Sequence, residues 1–335
     1  RGDVHYREVW HGNKPFSEYR KYFFRYASEF GFQSFPSVKT LETVTDDPKE
    51  LNPFSYVMEK HQRNYGGNGK IAKYMQAAYR YPENFSDFVY ASQLLQADGI
   101  RYGVEHYRRN RGRCMGAIYW QLNDCWPVIS WSSIDYYGRW KALHYYVKRF
   151  FAPVMLSCEE QSWMTVEADM NRQHFEFEKS IRLNVTNETL DAHRVLVKWA
   201  VRKTDATILR EEEQWLEVPA LSAVWMDKVE LPQIDCFNEY VSYEAWENDQ
   251  IISQGTVIFS YPKYFHYLNP GLAVRVDGDE IVVKAEAYAK SVEIRNENDD
   301  LILEDNYFDM NAGEYRVKIL DGKPDGLKVR SVYDI

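Results

Sequence analysis

A single carboxylate lies among small and aromatic residues near the start of the chain. Glu29 stands in residues 27–34, directly after an aromatic, strand-forming run over residues 22–26. Burying an acidic side chain in such surroundings is costly unless a partner or a reaction uses it. Glu29 lies where this strand is predicted to end, and in a β/α barrel the catalytic groups collect at the C-terminal ends of strands. These residues alone leave two interpretations open: a catalytic carboxylate, or a glutamate held by a structural ion pair.

The elements that would position Glu29 alternate between short apolar strands and helices. The apolar runs and the helical periodicity predict strands at 4–10, 23–30 and 115–120 and helices at 71–81, 85–109 and 139–151. The third strand is nearly unbroken in apolar residues, which is typical of a strand buried on both sides. Alternating strands and helices indicate a parallel sheet. Three strands are too few to close an eight-stranded barrel, so only the final part of a barrel would be present.

After Pro153 the helical signals fade and strand-like runs take over. Their spacing and polar turns suit a sandwich of immunoglobulin size. A break near residues 261–271 then precedes a smaller all-β unit. We therefore predict three domains, at 1–153, 154–260 and 261–335. The strand-like runs of the middle domain lie at 163–168, 180–186, 195–201, 240–246 and 251–259.

The composition excludes several classes of partner and cofactor. The formal net charge is -9 and no basic stripe is present, which argues against a nucleic-acid binder. The four cysteines lack metal-ligand spacing, so neither a metal site nor a cofactor is expected. No run approaches the roughly 20 apolar residues of a membrane span, so no membrane partner is expected. The cellular compartment is left open.

Two segments of the chain combine into a family resemblance. Residues 115–127 end a predicted strand in Trp120 followed by polar side chains, and residues 28–37 contain Glu29. Together they closely resemble the β-mannosidases of glycoside hydrolase family 2, as do residues 9–16, 134–145 and 305–309. The resemblance implies the C-terminal part of a (β/α)8 TIM barrel followed by two immunoglobulin-like β-sandwich domains. It also implies a retaining exo-glycosidase that removes terminal non-reducing β-D-mannose from β-D-mannosides.

The resemblance assigns roles to particular residues. Glu29 matches the family's nucleophile, and Trp120 matches the tryptophan that ends the last barrel strand, where its indole face can stack on a sugar. A non-proline cis peptide bond between Trp120 and Gln121 is also implied. Trp10 and His11 would lie on the catalytic face after strand six, and Trp126 on the rim of the cleft. Trp120 as a core residue and His11 as a hydrogen-bonded structural histidine remain alternatives.

The second catalytic carboxyl group is not found where the family has it. The family's acid/base glutamate follows an asparagine at the end of barrel strand four. The Asn-Glu pairs of this chain, at 187–188, 238–239 and 296–297, all fall in the predicted sandwich regions. The acid/base residue and strands one to five are therefore expected upstream, in an N-terminal remainder of the same polypeptide.

Without that remainder the chain is predicted to be inactive on its β-mannoside oligosaccharide substrate. Two alternatives to a β-mannosidase stay open. One is another family 2 activity, such as exo-β-glucosaminidase, β-galactosidase or β-glucuronidase. The other is a non-catalytic carbohydrate-binding or spacer module.

Overall fold

The computed structural model describes residues 2–166 and 176–335. Its first part contains a three-stranded parallel sheet in the order β1-β2-β3, with β2 in the centre. The strands are β1 (Val4–His5), β2 (Ala27–Gly31) and β3 (Ala117–Trp120). They are shorter than predicted, because aromatic residues around β1 and before β2 pack on one another: Tyr6 contacts Phe24 at a ring distance of 5.3 Å. Glu29 therefore lies inside β2 rather than at its end.

Helices cover one face of this sheet. They are α1 (Val38–Leu41), α2 (Tyr56–Lys60), α3 (Gly67–Ala78), α4 (Phe85–Arg109) and α5 (Ala142–Phe150). The bounds of α4 are those predicted, and its N-cap Asn84 accepts a hydrogen bond from the backbone of Asp87 at 2.9 Å. A Cβ at Gly103 would lie 2.7 Å from the Phe30 ring. Glycine at this position lets α4 approach the sheet closely.

The opposite face of the parallel sheet is open in the described chain. Phe30 is buried toward α4, whereas Ile118 and Trp120 on β3 are 50% and 49% exposed. The prediction that this third strand is buried on both sides is therefore wrong for the chain as it stands. Parallel sheets are ordinarily covered on both faces, and no described segment covers this one.

A β-sandwich follows, built from β4 (Val154–Gln161), β5 (Ser180–Asn187), β6 (His193–Lys203), β7 (Ile208–Val218), β8 (Ser222–Trp225), β9 (Val229–Glu230), β10 (Glu239–Glu247) and β11 (Gln250–Ile258). One sheet has the order β4-β5-β8, with β9 also on β5, and the other has the order β11-β10-β6-β7. Alternate residues such as Val185, Val197 and Val241 fill the shared core. Residues 163–165 form a 3-10 helix instead of the predicted strand, because Ser162 and Thr165 make a capping box; positions 167 and 168 lie outside the described residues.

The C-terminal part is also all β. Its strands are β12 (Ala273–Asp277), β13 (Glu280–Ala285), β14 (Ala289–Arg295), β15 (Ile302–Leu303), β16 (Phe308–Met310), β17 (Gly313–Asp321) and β18 (Lys328–Arg330). They form two sheets, β12-β13-β17-β15 and β16-β14-β18. Their core is continuous with that of the first region, where the Tyr90 hydroxyl on α4 donates to the carbonyl oxygen of Ser291 at 2.6 Å. Within the described ranges no helix is both long and apolar enough to cross a membrane.

Helix α4 also joins the first region to the β-sandwich. Arg20 pairs with the buried carboxylate of Glu160 on β4 at 2.8 Å, and the Tyr102 hydroxyl of α4 donates to the same carboxylate. Arg109, near the end of α4, lies 3.6 Å from Glu105 and 3.8 Å from Glu159. The helix that supports the parallel sheet is therefore anchored to both β regions.

Candidate active site

Glu29 lies on the central strand of the parallel sheet. Its register partner is His5, and its carboxylate lies 3.7 Å from His5 Nδ1 and 3.5 Å from Arg7 Nη2. The side chains of these partners are 51% and 62% exposed, and that of Glu29 is 28% exposed. Ion pairs this long and this exposed contribute little to stability. A structural ion pair is thus a weak explanation for the carboxylate, which stays accessible on the open face.

Trp120 shares that open face with Glu29. Gly31 on β2 is the register partner of Trp120 on β3, and paired residues of parallel strands point to the same side. A Cβ at Gly31 would lie 2.5 Å from the Trp120 carbonyl oxygen and 3.0 Å from Trp131 Cδ1, so a larger residue would force these strands apart. The peptide bond between Trp120 and Gln121 is cis, as the resemblance implied. The half-exposed indole stands beside the carboxylate, on the adjacent strand.

Trp10 lies behind this face. It is 2% exposed, and its ring makes edge contacts with Phe32 at 4.9 Å and Trp131 at 6.4 Å between centroids. Its ring therefore has no face open to a ligand, unlike the predicted position in a substrate cleft. Trp10 packs against Trp131, whose ring lies close to Gly31 at the end of β2.

His11 is exposed and close to the charges around Glu29. Partial burial lowers the pKa of His11, Lys70 and Arg7 lower it further, and Glu29 acts in the opposite direction. Lys70 donates to the carbonyl oxygens of Trp10 and His11, at 3.4 Å each. Lys70 thus holds the turn that carries His11.

Trp126 lies in the segment after β3, half-buried. Its ring stacks on His61 with 4.8 Å between centroids, and Arg63 Cζ lies 4.5 Å from the ring centre. His61 Nδ1 lies 2.6 Å from the carbonyl oxygen of Pro127. The described contacts of Trp126 therefore join the segments after β2 and β3.

Asp124 forms a closed polar turn. Its Oδ1 accepts from Ser130 Oγ at 2.7 Å and Gln121 Nε2 at 3.2 Å, and its Oδ2 accepts from Ser132 Oγ at 2.5 Å. With three donors its oxygens are occupied, as expected of a self-satisfying turn. Asn123 next to it is exposed.

Three residues near the site escaped the reasoning from sequence. They are Arg7 beside Glu29, Trp131 beside Gly31, and Lys141, which is buried behind both segments. Arg7 and Trp131 carry no local signal. Lys141 lies inside a run that resembles the family, but nothing in its spacing reveals that a lysine is buried there, which is rare.

Comparison with known proteins shows which sequences and structures this chain is similar to. A model described as "Mannosidase Ig/CBM-like domain" matches residues 179–264, and an "Ig-fold domain" matches residues 267–335. Beta-mannosidase B of Thermothelomyces thermophilus is 30% identical over 361 aligned positions, which cover 99% of this chain and 41% of that protein. The crystal structure of the beta-D-mannosidase from Dictyoglomus thermophilum superposes with a TM-score of 0.84 at 27% identity, over 98% of this chain. Over nearly its whole length the chain is similar to β-mannosidases of glycoside hydrolase family 2.

This β-mannosidase homologue spans about two fifths of the length of its full-length relatives. The coverage is 41% of the Thermothelomyces protein and 40% of the Dictyoglomus one. An exo-chitosanase of Amycolatopsis orientalis has a TM-score of 0.65 at 16% identity and shares the fold. The first region and both β regions of the homologue are thus parts of one glycosidase architecture.

Proposed function

We propose that this chain supplies the nucleophile, Glu29, of a retaining exo-β-mannosidase that releases terminal β-D-mannose. The observation that carries the proposal is the shared open face of Glu29 and Trp120 on adjacent parallel strands. A carboxylate beside an accessible indole suits a pyranose, whose apolar face can stack while its anomeric carbon meets the oxygen. The β-mannosidase relatives support mannose as the sugar.

The chemistry of a retaining glycosidase requires two carboxyl groups about 5–5.5 Å apart. The first attacks the anomeric carbon and forms a glycosyl ester. The second protonates the leaving oxygen and then activates water. Glu29 suits the first role, because the pairs that its oxygens make with described residues, His5 and Arg7, are long and exposed.

The second carboxyl group is proposed to come from the remainder of the parent polypeptide. The Asn-Glu pairs of this chain stand in or near the β regions. Glu188 follows β5 and pairs with Arg111 at 3.0 Å, Glu239 begins β10, and Glu297 follows β14. None belongs to the described parallel sheet. We expect the same remainder to bring strands one to five and to close the open face as a (β/α)8 barrel.

We propose the division into units at 1–153, 154–260 and 261–335 on the same basis. Strand β4 begins at Val154 and already pairs with the sandwich strand β5. Strand β11 ends at Ile258, just before the turn at Pro262. The two β units, 154–260 and 261–335, would brace the barrel portion through α4.

Covalent trapping tests the assignment of Glu29. In the full-length parent, 2-deoxy-2-fluoro-β-D-mannosyl fluoride should react so that a Glu29 oxygen bonds to C1 and fluoride leaves. The fluorine at C2 slows hydrolysis of the ester, so peptide mapping should find the label on Glu29. A label on another carboxylate would remove Glu29 from the nucleophile role. A panel of aryl β-glycosides then separates mannosidase from glucosaminidase, galactosidase and glucuronidase activity.

The isolated 335-residue chain provides the complementary measurement. We expect no turnover of an aryl β-mannoside, because general acid catalysis typically contributes about 10²–10⁴-fold and the site is incomplete. Turnover at the rate of the full-length enzyme would contradict the proposal that the acid/base residue lies outside this chain.

A further inference from the structure

Lys141 is a buried cation at the junction of two segments. It lies directly before α5 and is 1% exposed. Its Nζ donates to the carbonyl oxygens of Ser34 at 3.2 Å and Ser130 at 3.3 Å. These serines form an isolated antiparallel bridge, with N···O distances of 3.0 and 3.3 Å. One ammonium therefore holds the segment after β2 against the segment after β3.

Asp124 extends this contact toward Trp120. Its carboxylate accepts from Ser130, which Lys141 holds, and from Gln121, which directly follows Trp120. The backbone N–H of Gln121 also donates to the carbonyl oxygen of Trp131 at 3.0 Å. A displacement of Ser130 would therefore be transmitted through Asp124 to the end of β3.

Helix α4 closes the network from the other side. Gln96 is fully buried; its Oε1 accepts from Ser34 Oγ at 2.7 Å. Its Nε2 donates to the carbonyl oxygens of Phe32 at 2.9 Å and Ser132 at 3.2 Å. Both segments are thus fixed to the same helix that supports β2.

The buried charge of Lys141 must be compensated by the groups around it. An ammonium out of water is costly unless its donors are satisfied and opposite charges are near. Burial lowers the pKa of Lys141 to about 8, while the carboxylates of Asp124 and Asp135 oppose that shift. The two carbonyl oxygens bind the ammonium and the two carboxylates attract it, so its position is fixed. Because the carbonyl oxygens belong to different segments, the cation also fixes how these segments lie relative to each other.

We propose that Lys141 is a positioning residue that sets Glu29 against Trp120. The inference rests on the function proposed above. Lys141 touches neither the sugar nor the reacting atoms; it acts through Ser34, five residues after Glu29, and through Ser130 and Asp124 behind Trp120. Displacements of about 1 Å at a reacting centre can cost on the order of 10²-fold in rate.

The test compares Lys141→Met with Lys148→Met in the full-length parent. Methionine keeps most of the length and removes the charge, and Lys148 is an exposed lysine in α5, the helix that Lys141 directly precedes. We expect Lys141→Met to lower kcat per active site by about 10- to 100-fold, with KM changed by less than about threefold. Active sites are counted by the amount of fluoromannosyl label bound at completion. Lys148→Met should match the wild type.

A second readout needs no activity. Hydrogen exchange in the full-length parent should be faster at residues 28–36 and 118–134 in Lys141→Met, and unchanged in the sandwich. If wild type is labelled on Glu29 but Lys141→Met has the wild-type kcat per labelled site, the positioning role is overturned. If the wild type is not labelled on Glu29, the proposed function fails, and exchange alone then decides whether Lys141 holds the two segments.

If Lys141→Met does not fold, Asp124→Asn provides a second test of the proposal. This isosteric change removes the opposing charge and leaves the cation and both segments in place. We expect a smaller loss of kcat in the same direction, about 3- to 10-fold, with faster exchange at residues 118–134. Wild-type kcat and wild-type exchange in a folded Asp124→Asn protein would contradict the proposal.

Discussion

The parallel sheet and the first β-sandwich differ in what they leave open. In the sandwich, two sheets turn their apolar faces to each other, and Val185, Val197 and Val241 are all fully buried. In the parallel sheet, Phe30 is buried toward α4, but the other face presents Ile118, Trp120 and Glu29. The sandwich thus completes its own core, whereas the sheet has one face that only another element or a ligand can cover.

The difference shows where stability and chemistry reside. Residues of the closed core should determine the unfolding free energy and leave the reaction unchanged in the folded protein. Residues of the open face should determine the reaction and leave the stability of this chain nearly unchanged. Substitutions in the two regions can therefore test this distinction.

The largest effect is expected from Glu29→Gln in the full-length parent. The amide keeps the size of the side chain but cannot act as an ionised nucleophile, so kcat should fall by roughly 10⁴- to 10⁶-fold, as for other essential nucleophiles. In the 335-residue chain the same change should alter the unfolding free energy by less than about 0.5 kcal/mol. Glu42→Gln, at an exposed glutamate, is the control. Activity close to wild type in Glu29→Gln would exclude Glu29 as the nucleophile.

The next largest effect lies in the sandwich. Trp199 is 3% exposed in the core between the sheets, so Trp199→Ala should lower the unfolding free energy by about 3–5 kcal/mol. Trp215, 55% exposed on β7, is the matched control. Its replacement by alanine loses a stacked Arg194 at 4.6 Å, about 0.5–1 kcal/mol. Equal losses in chemical denaturation would mean that the sandwich core is not closed as described.

The predictions from sequence succeeded where local signals suffice. The bounds of α4 follow from its periodicity and its flanking caps, Asn84 and Asn110, which act within one turn. Strands β1 and β2, which precede α4, are shorter than predicted, because aromatic residues next to them pack on one another instead of extending the strands. Strand β7 was missed, since its charged run at 211–213, which is exposed, hides the alternation of a strand.

The site itself could be inferred only in part. Residue types and the family resemblance singled out Glu29 and Trp120, but no pattern in one sequence measures the distance between remote strands. The inward position of Trp10 and the burial of Lys141 depend on tertiary packing that sequence spacing does not encode. The exposure of Ile118 and Trp120 on β3 likewise depends on tertiary packing, and the apolar run at 115–120 does not reveal it.

A smaller effect concerns the closed side of the parallel sheet. His106 on α4 contacts the carbonyl oxygen of Tyr22 at 2.8 Å, and burial lowers its pKa to about 4. The unfolded imidazole, near 6.5, binds its proton first as the pH falls. Stability is therefore complete above pH 6.5 and is lost as the pH falls toward 4, by about 3 kcal/mol at 1.36 kcal/mol per pKa unit. Between pH 7 and pH 4.5 the unfolding free energy of His106→Gln, measured by chemical denaturation, should fall less than that of the wild type. An equal fall in the two proteins would contradict this prediction.

The smallest effect, and the one that best separates the two regions, is expected at Trp120. In the full-length parent Trp120→Ala should lower kcat/KM for an aryl β-mannoside by about 10- to 100-fold, or about 1.4–2.8 kcal/mol, because the sugar loses its stacking surface. Trp120→Phe keeps an aromatic face and should stay within about threefold. In the isolated chain the half-exposed indole contributes little to the core, so Trp120→Ala should cost under about 1 kcal/mol of unfolding free energy. A loss of 3 kcal/mol or more with unchanged kinetics would instead make Trp120 a core residue, and the open face would then be a missing interface and no part of the sugar site.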